Sequence, residues 1–320
     1  MEQRALGRSG LQIVPLVFGG NVLGWTLDQA ASFTVLDAFV AAGFDAIDTA
    51  DVYSAWAPGN RGGESETILG NWFKARPGQR DKVKLFTKVG SDLGEPGKKG
   101  LSRAWITRAV EDSLRRLQTD YLDLYFSHWP DPDTGYDETL RAYEALLQAG
   151  KVRAIGASNL NASQLADALA VAKQQGLPAY QVLQPEYNLY DRAQFEGALQ
   201  QLCQKESIGV VTYYSLASGF LSGKYRSPAD LQQSVRGAGI GKYLDAKGMA
   251  ILAALDAVAE THGAKPAEVA LAWLLAAPGI TAPIASATSP AQVASFSRAM
   301  SLRLSAAELA QLTAAGNPAP

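Results

Sequence analysis

Asp48, Tyr53, Lys88 and His128 stand at or just beyond the ends of three successive short apolar runs. Asp48 ends Phe44-Asp45-Ala46-Ile47-Asp48, and Tyr53 follows in the next segment. Lys88 ends Leu85-Phe86-Thr87-Lys88, and His128 follows Tyr125-Phe126-Ser127. A phenol with a reference pKa of about 10 is a poor acid or base at neutral pH. An adjacent ammonium favours its phenolate, and a carboxylate holds that ammonium in place. Proton exchange with a carbonyl group then becomes feasible. A histidine beside the phenol can donate to the carbonyl oxygen, orienting it and stabilising developing charge. No metal is needed for this chemistry. Taken singly, each residue has a packing explanation, such as a structural Lys–Asp pair or a tyrosine filling a loop. Their concentration at three neighbouring strand ends points to chemistry. The other histidine, His262 in Glu260-Thr261-His262-Gly263, reads as a helix-end surface residue, and Cys203 as a buried spectator thiol.

The elements that must position these groups are legible from periodicity. Eight β-rich runs, at 15–20, 44–48, 83–88, 121–126, 154–157, 181–184, 209–212 and 281–285, alternate with segments of helical period. One such segment carries Ile106, Ala109, Val110, Ser113, Leu114 and Leu117 on one face. Pro266 suits the first turn of a helix running to about Ala276. Ser305 and Glu308 form a capping-box signature for a last helix through about Ala315. Gly7-Arg8-Ser9-Gly10 marks a hairpin turn that would plug one barrel end, and 215–245 reads as a long irregular loop, functional or mobile. No Gly-x-Gly-x-x-Gly turn follows the first run, which favours a closed barrel over a doubly wound sheet. The expectation is an α/β fold: a (β/α)8 TIM barrel with an N-terminal hairpin and a C-terminal extra helix, one domain spanning 1–320.

Composition narrows the partners. A net charge of −2 with scattered basic residues gives no footprint for nucleic acid or an anionic membrane surface. No stretch approaches the roughly 18 consecutive apolar residues of a membrane helix, and the N-terminus lacks a signal-peptide apolar region. The single cysteine forbids an intrachain disulfide, and a reducing cytoplasm is the expected setting. A small carbonyl or alcohol compound is the expected partner, and oligomeric state is left open.

At these residues the chain resembles the aldo-keto reductase superfamily over essentially its whole length. The resemblance lies in 44–53, in Gly150-Lys151-Val152-Arg153-Ala154-Ile155-Gly156-Ala157-Ser158-Asn159, in Gln184-Pro185-Glu186-Tyr187-Asn188-Leu189-Tyr190, and in 215–225. It implies that Asp48, Tyr53, Lys88 and His128 form a catalytic tetrad with Tyr53 as general acid during reduction. It further implies that Ser158, Asn159 and Gln184 bind a nicotinamide carboxamide and that Tyr213 stacks on the ring. Gly20 and Asn21 would lie near the nicotinamide, and Leu216, Ser218, Gly219, Leu221 and Lys224 would cover the pyrophosphate. After the eighth run, where relatives carry lysine or arginine for the adenosine 2′-phosphate, Ser286, Thr288 and Gln292 are neutral. Ser295 and Phe296 replace the acidic residue and asparagine that often contact adenine. Arg236 or Lys224 would then supply the charge, as in the branch that includes potassium-channel β subunits. The implied cofactor is NADP(H), with NAD(H) as the alternative. Trp25, Trp56 and Trp129 fall in loops one, two and four and suit an apolar or aromatic carbonyl. Two other functions stay open: a slow, redox-sensing regulatory subunit, against which the histidine at 128 argues, and a physiological alcohol dehydrogenase.

Overall fold

Each of the eight apolar runs sends alternate side chains inward, and those side chains meet. Val17, Ala46, Phe86, Leu124, Phe126, Ala154, Val182, Val211, Ala282 and Ile284 form one buried cluster inside a closed barrel. The computed structural model describes residues 2–317, so the last residues at both ends of the expected span 1–320 lie outside the described residues. A two-stranded antiparallel hairpin, β1 (Arg4–Ala5) and β2 (Gln12–Ile13), precedes the barrel. The barrel strands are β3 (Val17–Gly19), β4 (Ala46–Asp48), β5 (Lys84–Val89), β6 (Leu124–Ser127), β7 (Ile155–Ser158), β8 (Val182–Gln184), β9 (Gly209–Thr212) and β10 (Ala282–Ala285). They are parallel and in chain order, and β10 closes the ring by pairing with both β9 and β3. This is the expected (β/α)8 barrel. The runs read from the sequence were one to three residues longer at some ends than the paired strands, because flanking apolar residues are buried without joining the ladder.

The helices are α1 (Gln29–Ala41), α2 (Glu64–Ala75), α3 (Arg103–Leu117), α4 (Tyr136–Gln148), α5 (Ala162–Gln175), α6 (Ala198–Lys205), α7 (Ala246–His262), α8 (Pro266–Ala276), α9 (Pro290–Ser301) and α10 (Ala306–Ala315). The apolar stripe expected on α3 is buried in full, and Ser102 caps that helix by accepting from the Trp105 N–H. Ser305 and Glu308 make the expected capping box on α10. The ten helices among the described residues exceed the eight that strand–helix alternation requires. α7 is inserted between β9 and α8, and α10 is the C-terminal addition. The two are joined by His262, whose Nε2 lies 2.8 Å from Glu308 Oε1. His262 is thus a partly buried tie between helices, more than a surface residue. Cys203 is buried in α6, as expected, and burial pushes its thiol up to about 12. Among the described residues, no helix is long and apolar enough to cross a membrane.

The hairpin seals the lower end by sending Leu6 and Ile13 into the barrel cluster. Its turn fits only because two glycines meet. A Cβ on Gly7 would lie 2.2 Å from the Gly209 nitrogen, and one on Gly209 would lie 2.6 Å from the Gly7 nitrogen. The long segment after β9 is also more ordered than its composition implied. It folds into four short 3-10 turns within 217–243, anchored by fully buried Phe220, Leu221, Tyr225 and Ile240. Phe220 stacks on Tyr243, with ring centroids 5.3 Å apart.

Because backbone cannot move aside as a flexible side chain can, Gly209→Ala should cost about 1–3 kcal/mol. Urea titration should register this as a lower midpoint with an unchanged slope. Gly239→Ala enters open space at an ordinary φ and should stay within about 0.5 kcal/mol.

Candidate functional site

The inward alternation does not stop where the apolar cluster ends. One step of two residues further along, Ala46 gives way to Asp48, Phe86 to Lys88, Phe126 to His128, Val182 to Gln184, Val211 to Tyr213 and Ile284 to Ser286. The carboxyl end of the barrel therefore carries a polar layer on an apolar floor, at the end where barrel chemistry is sited.

Lys88 is the centre of that layer and is fully buried. An ammonium has three N–H donors, and each finds an acceptor: Asp48 Oδ2 at 2.6 Å, the Thr49 carbonyl at 2.8 Å and the Tyr53 hydroxyl at 2.9 Å. The Tyr53 hydroxyl in turn donates to Asp48 Oδ2 at 3.3 Å. Gln184 Nε2 donates to Asp48 Oδ1 at 2.9 Å, completing that carboxylate from the far side of the barrel. His128 flanks the phenol, with ring centroids 6.0 Å apart.

The electrostatics depart from the expectation that Lys88 would pull the phenol toward phenolate. Burial is the largest influence on Tyr53, and the Asp48 carboxylate adds to it, so the phenol is pushed well above its ordinary range. Burial also lowers Lys88, although Asp48 opposes it. His128 is driven well below the usual imidazole range, by burial first and by the Lys88 charge second. The site therefore holds a protonated phenol beside a neutral imidazole.

Ser91 is a site residue that the sequence did not reveal. Its Oγ lies 2.9 Å from His128 Nδ1 and is buried with it. Ser91 stands three residues past Lys88, after Gly90 turns the chain at φ 115°, so it falls outside the strand alternation and no spacing signal marks it.

The residues expected to face a nicotinamide converge on the same layer. Asn159 adopts φ 61°, a left-handed conformation that asparagine tolerates. Its Nδ2 donates to the His128 carbonyl at 2.8 Å, and its Oδ1 accepts from the Tyr213 hydroxyl at 2.7 Å. Ser158 Oγ donates to the Gln184 carbonyl at 2.7 Å. Ser286 Oγ donates to Asn21 Oδ1 at 2.6 Å beside buried Gly20, joining the first and eighth strand ends.

The outer residues spread along the rim. Tyr214, Ala217, Ser218 and Gly219 all have positive φ, which turns the loop carrying Leu216, Ser218 and Gly219 into tight left-handed bends. Backbone N–H groups in such bends form concavities suited to anions. Leu221 is fully buried, so only its backbone is left for the expected role. Lys224 is exposed over the Tyr225 ring, and the Arg236 guanidinium lies 5.2 Å from the Trp25 ring centroid, carrying the seventh loop across to the first. At the N-terminus of α9, Gln292 Oε1 accepts from the Thr288 amide at 2.7 Å. Phe296 turns into the core against Phe44, and Ser295 Oγ donates to Glu268, so neither is free to replace an adenine contact. A polar layer, a left-handed loop and a helix N-terminus in sequence fit an elongated dinucleotide.

Three tryptophans stand around Tyr53 and His128. Trp56 is edge-on to both Tyr53 and Trp25, at 6.0 and 5.7 Å, and Trp129 stacks on His128 at 5.9 Å. Trp56 and Trp129 are each about half exposed.

A parallel (β/α)8 barrel with an ion-paired lysine, a tyrosine and a histidine at its carboxyl end is the layout of a barrel oxidoreductase. The chain belongs to the aldo/keto reductase family, which it matches over residues 15–317. It is 35% identical over 290 residues to a Bacillus subtilis (strain 168) protein described as uncharacterized oxidoreductase YrpG, covering 89% of this chain and 86% of that one. It is 32% identical to Protein tas of Escherichia coli (strain K12), covering 98% and 97%. It is also 32% identical to a probable voltage-gated potassium channel subunit beta of Oryza sativa subsp. japonica, covering 94% and 91%. The family is one of oxidoreductases that use nicotinamide cofactors.

The Ser91–His128 contact sets which ring nitrogen carries the proton. In 15N NMR the wild-type imidazole should be neutral and in a single tautomer over roughly pH 6 to 8. Ser91→Ala should give a mixture of tautomers, and Ser91→Thr should restore the single form.

Proposed function

We propose that this chain reduces aldehydes or ketones to alcohols, with Tyr53 as the proton donor. Lys88 carries the assignment, because its ammonium holds Asp48 and the Tyr53 hydroxyl together at 2.6 and 2.9 Å. When bound, the nicotinamide supplies hydride to the carbonyl carbon. Ser158, Asn159 and Gln184 would hold its carboxamide, with Gly20 and Asn21 nearby and Tyr213 against its ring. Leu216, Ser218, Gly219, Leu221 and Lys224 would cover the pyrophosphate, and Arg236 or Lys224 would supply charge to an adenosine 2′-phosphate. The family's substrate chemistry and the half-exposed Trp56 and Trp129 favour a flat apolar or aromatic carbonyl, with Trp25 as the outer wall.

Tyr53 keeps its proton at neutral pH because burial and Asp48 raise its pKa. It gives that proton to the carbonyl oxygen as negative charge builds there, while the Lys88 ammonium stabilises the phenolate that remains. Asp48 keeps Lys88 in place. His128 presents Nε2–H to the same oxygen when Ser91 donates into Nδ1, and a neutral imidazole is the form that can do so. An intact Tyr53–His128 pair favours turnover over a purely regulatory role, and the same groups run in reverse for alcohol oxidation.

NADP(H) is the preferred cofactor. The N-terminus of α9 offers a positive dipole end with the Ser286 and Thr288 hydroxyls and the Gln292 amide around it.

Tyr53→Phe should abolish steady-state carbonyl reduction while leaving cofactor affinity within a few-fold; wild-type-like turnover would overturn the mechanism. The active form of Tyr53 is its protonated form, and its pKa is raised. Reductive kcat should therefore hold steady through the ordinary phenol range and fall only at higher pH. Fluorescence titration should give tighter binding for NADPH than for NADH, and equal affinities would refute the preference.

A further inference from the structure

Outside the barrel wall, between the segment after β4 and helix α3, lies a cavity of about 120 Å³. Asp51, two residues before Tyr53, forms its inner wall, and Trp105 of α3 stands among the lining residues. The Asp51 carboxyl is 2% exposed; the Val52 amide lies near it, but neither oxygen has a partner in good hydrogen-bond geometry. Trp105 is 5% exposed, and its indole N–H is also unpaired. More than about 90% of buried polar groups are paired, and leaving one unpaired costs about 1–3 kcal/mol. Two unpaired groups lining one cavity leave hydrogen-bonding capacity that water or a small ligand can take up.

The surrounding charges select its class. Glu95 pairs with Lys98 at 2.5 Å, Asp112 with Arg115 at 2.5 Å, and Glu66 with Arg116 at 2.6 Å. Arg61, at the rim, has no carboxylate partner among the described residues; it balances Asp51 when that carboxyl is ionised and is one cation in excess when Asp51 is protonated. The described residues contain no group of three ligating side chains suited to a metal ion. The indole is a donor only, and so is a guanidinium. Asp51 is pushed well above the carboxylate range by burial and by Glu66 of α2, against the weaker pull of Arg116 of α3, the Val52 amide and Lys88 of β5. A protonated Asp51 is a third donor facing the same space, and the Tyr125 hydroxyl of β6 lies within its electrostatic reach.

We propose that this cavity is a second ligand site, taking a small oxyanion of the size of a short carboxylate, held by the Trp105 indole N–H, the Asp51 carboxyl and the Arg61 guanidinium. The volume equals roughly four waters, enough for a ligand of about four heavy atoms. Occupancy bears on the active site through covalent neighbours. The Asp51 amide donates to the Lys88 carbonyl at 3.3 Å, Tyr53 is two residues on, and Leu93 on the cavity wall is two residues past Ser91.

The probe is sodium acetate, added to the full chain and read from the Trp105 indole 1H–15N resonance, assigned by its loss in Trp105→Phe. Acetate should move this resonance saturably, whereas sodium chloride at equal ionic strength should not. The indoles of Trp72 and Trp273, already donating to Asp37 and Thr313, should stay in place. Arg61→Ala, an exposed change that spares the core, should weaken acetate about tenfold. Raising the pH should weaken acetate in the wild type as Asp51 ionises. Asp51→Asn keeps a donor, so it should bind within about twofold of wild type with that pH dependence gone. No saturable shift, an equal shift with chloride, or unchanged affinity in Arg61→Ala would each overturn the proposal.

Discussion

The buried contact between Lys88 and Asp48 is the constraint on which the upper half of the barrel depends. The two side chains are 0% and 1% exposed and meet at 2.6 Å. Removing two ions from water costs several kcal/mol per ion, and their attraction repays this only when the remaining donors and acceptors are also satisfied. Here they are: Thr49 and Tyr53 complete the ammonium, and Gln184 and Tyr53 complete the carboxylate. One ion pair thereby ties β4, β5 and β8 to the loop bearing Tyr53. Deleting either partner would strand a charge in the interior, a loss of about 3–5 kcal/mol.

The barrel beneath that pair is apolar and filled. Phe86, Phe126 and the other inward residues form the floor, and Leu6 and Ile13 of the hairpin close it from below. Desolvation in this layer raises Tyr53 and lowers His128, so burial sets both protonation states. A tyrosine in water would need no lysine to hold a proton. In the proposed reaction a tyrosine in this layer needs one to give its proton away, since the phenolate left behind requires a positive neighbour.

Around this layer, packing within the chain takes up two side chains near the N-terminus of α9. Phe296 is absorbed into the core beside Phe44, and Ser295 joins the network of Glu268 with Arg298. Glu268 is buried, which alone would raise its pKa, but Arg298, Ser295 and the Lys265 amide outweigh this and hold it ionised. The end of the site proposed for the adenine is thus shaped by packing between α8 and α9. The seventh loop is anchored by its own aromatic residues, and Arg236 over Trp25 carries it to the first loop.

Much of this was legible in the amino-acid order. The period-two runs specify strands, the stripe from Ile106 to Leu117 specifies a helix face, and the strand-end positions of Asp48, Lys88 and His128 specify who shares a pocket, because alternation is a local property of the chain. The tertiary structure alone decided what depends on burial and on contacts between distant segments. It set burial and Asp48 above the expected pull of Lys88 on Tyr53, since desolvation is a property of the closed barrel and of no single residue. It brought Ser91 to His128 through a loop without periodicity, ordered 217–243 on buried aromatics, inserted α7, and left Asp51 and Trp105 facing each other's space without partners.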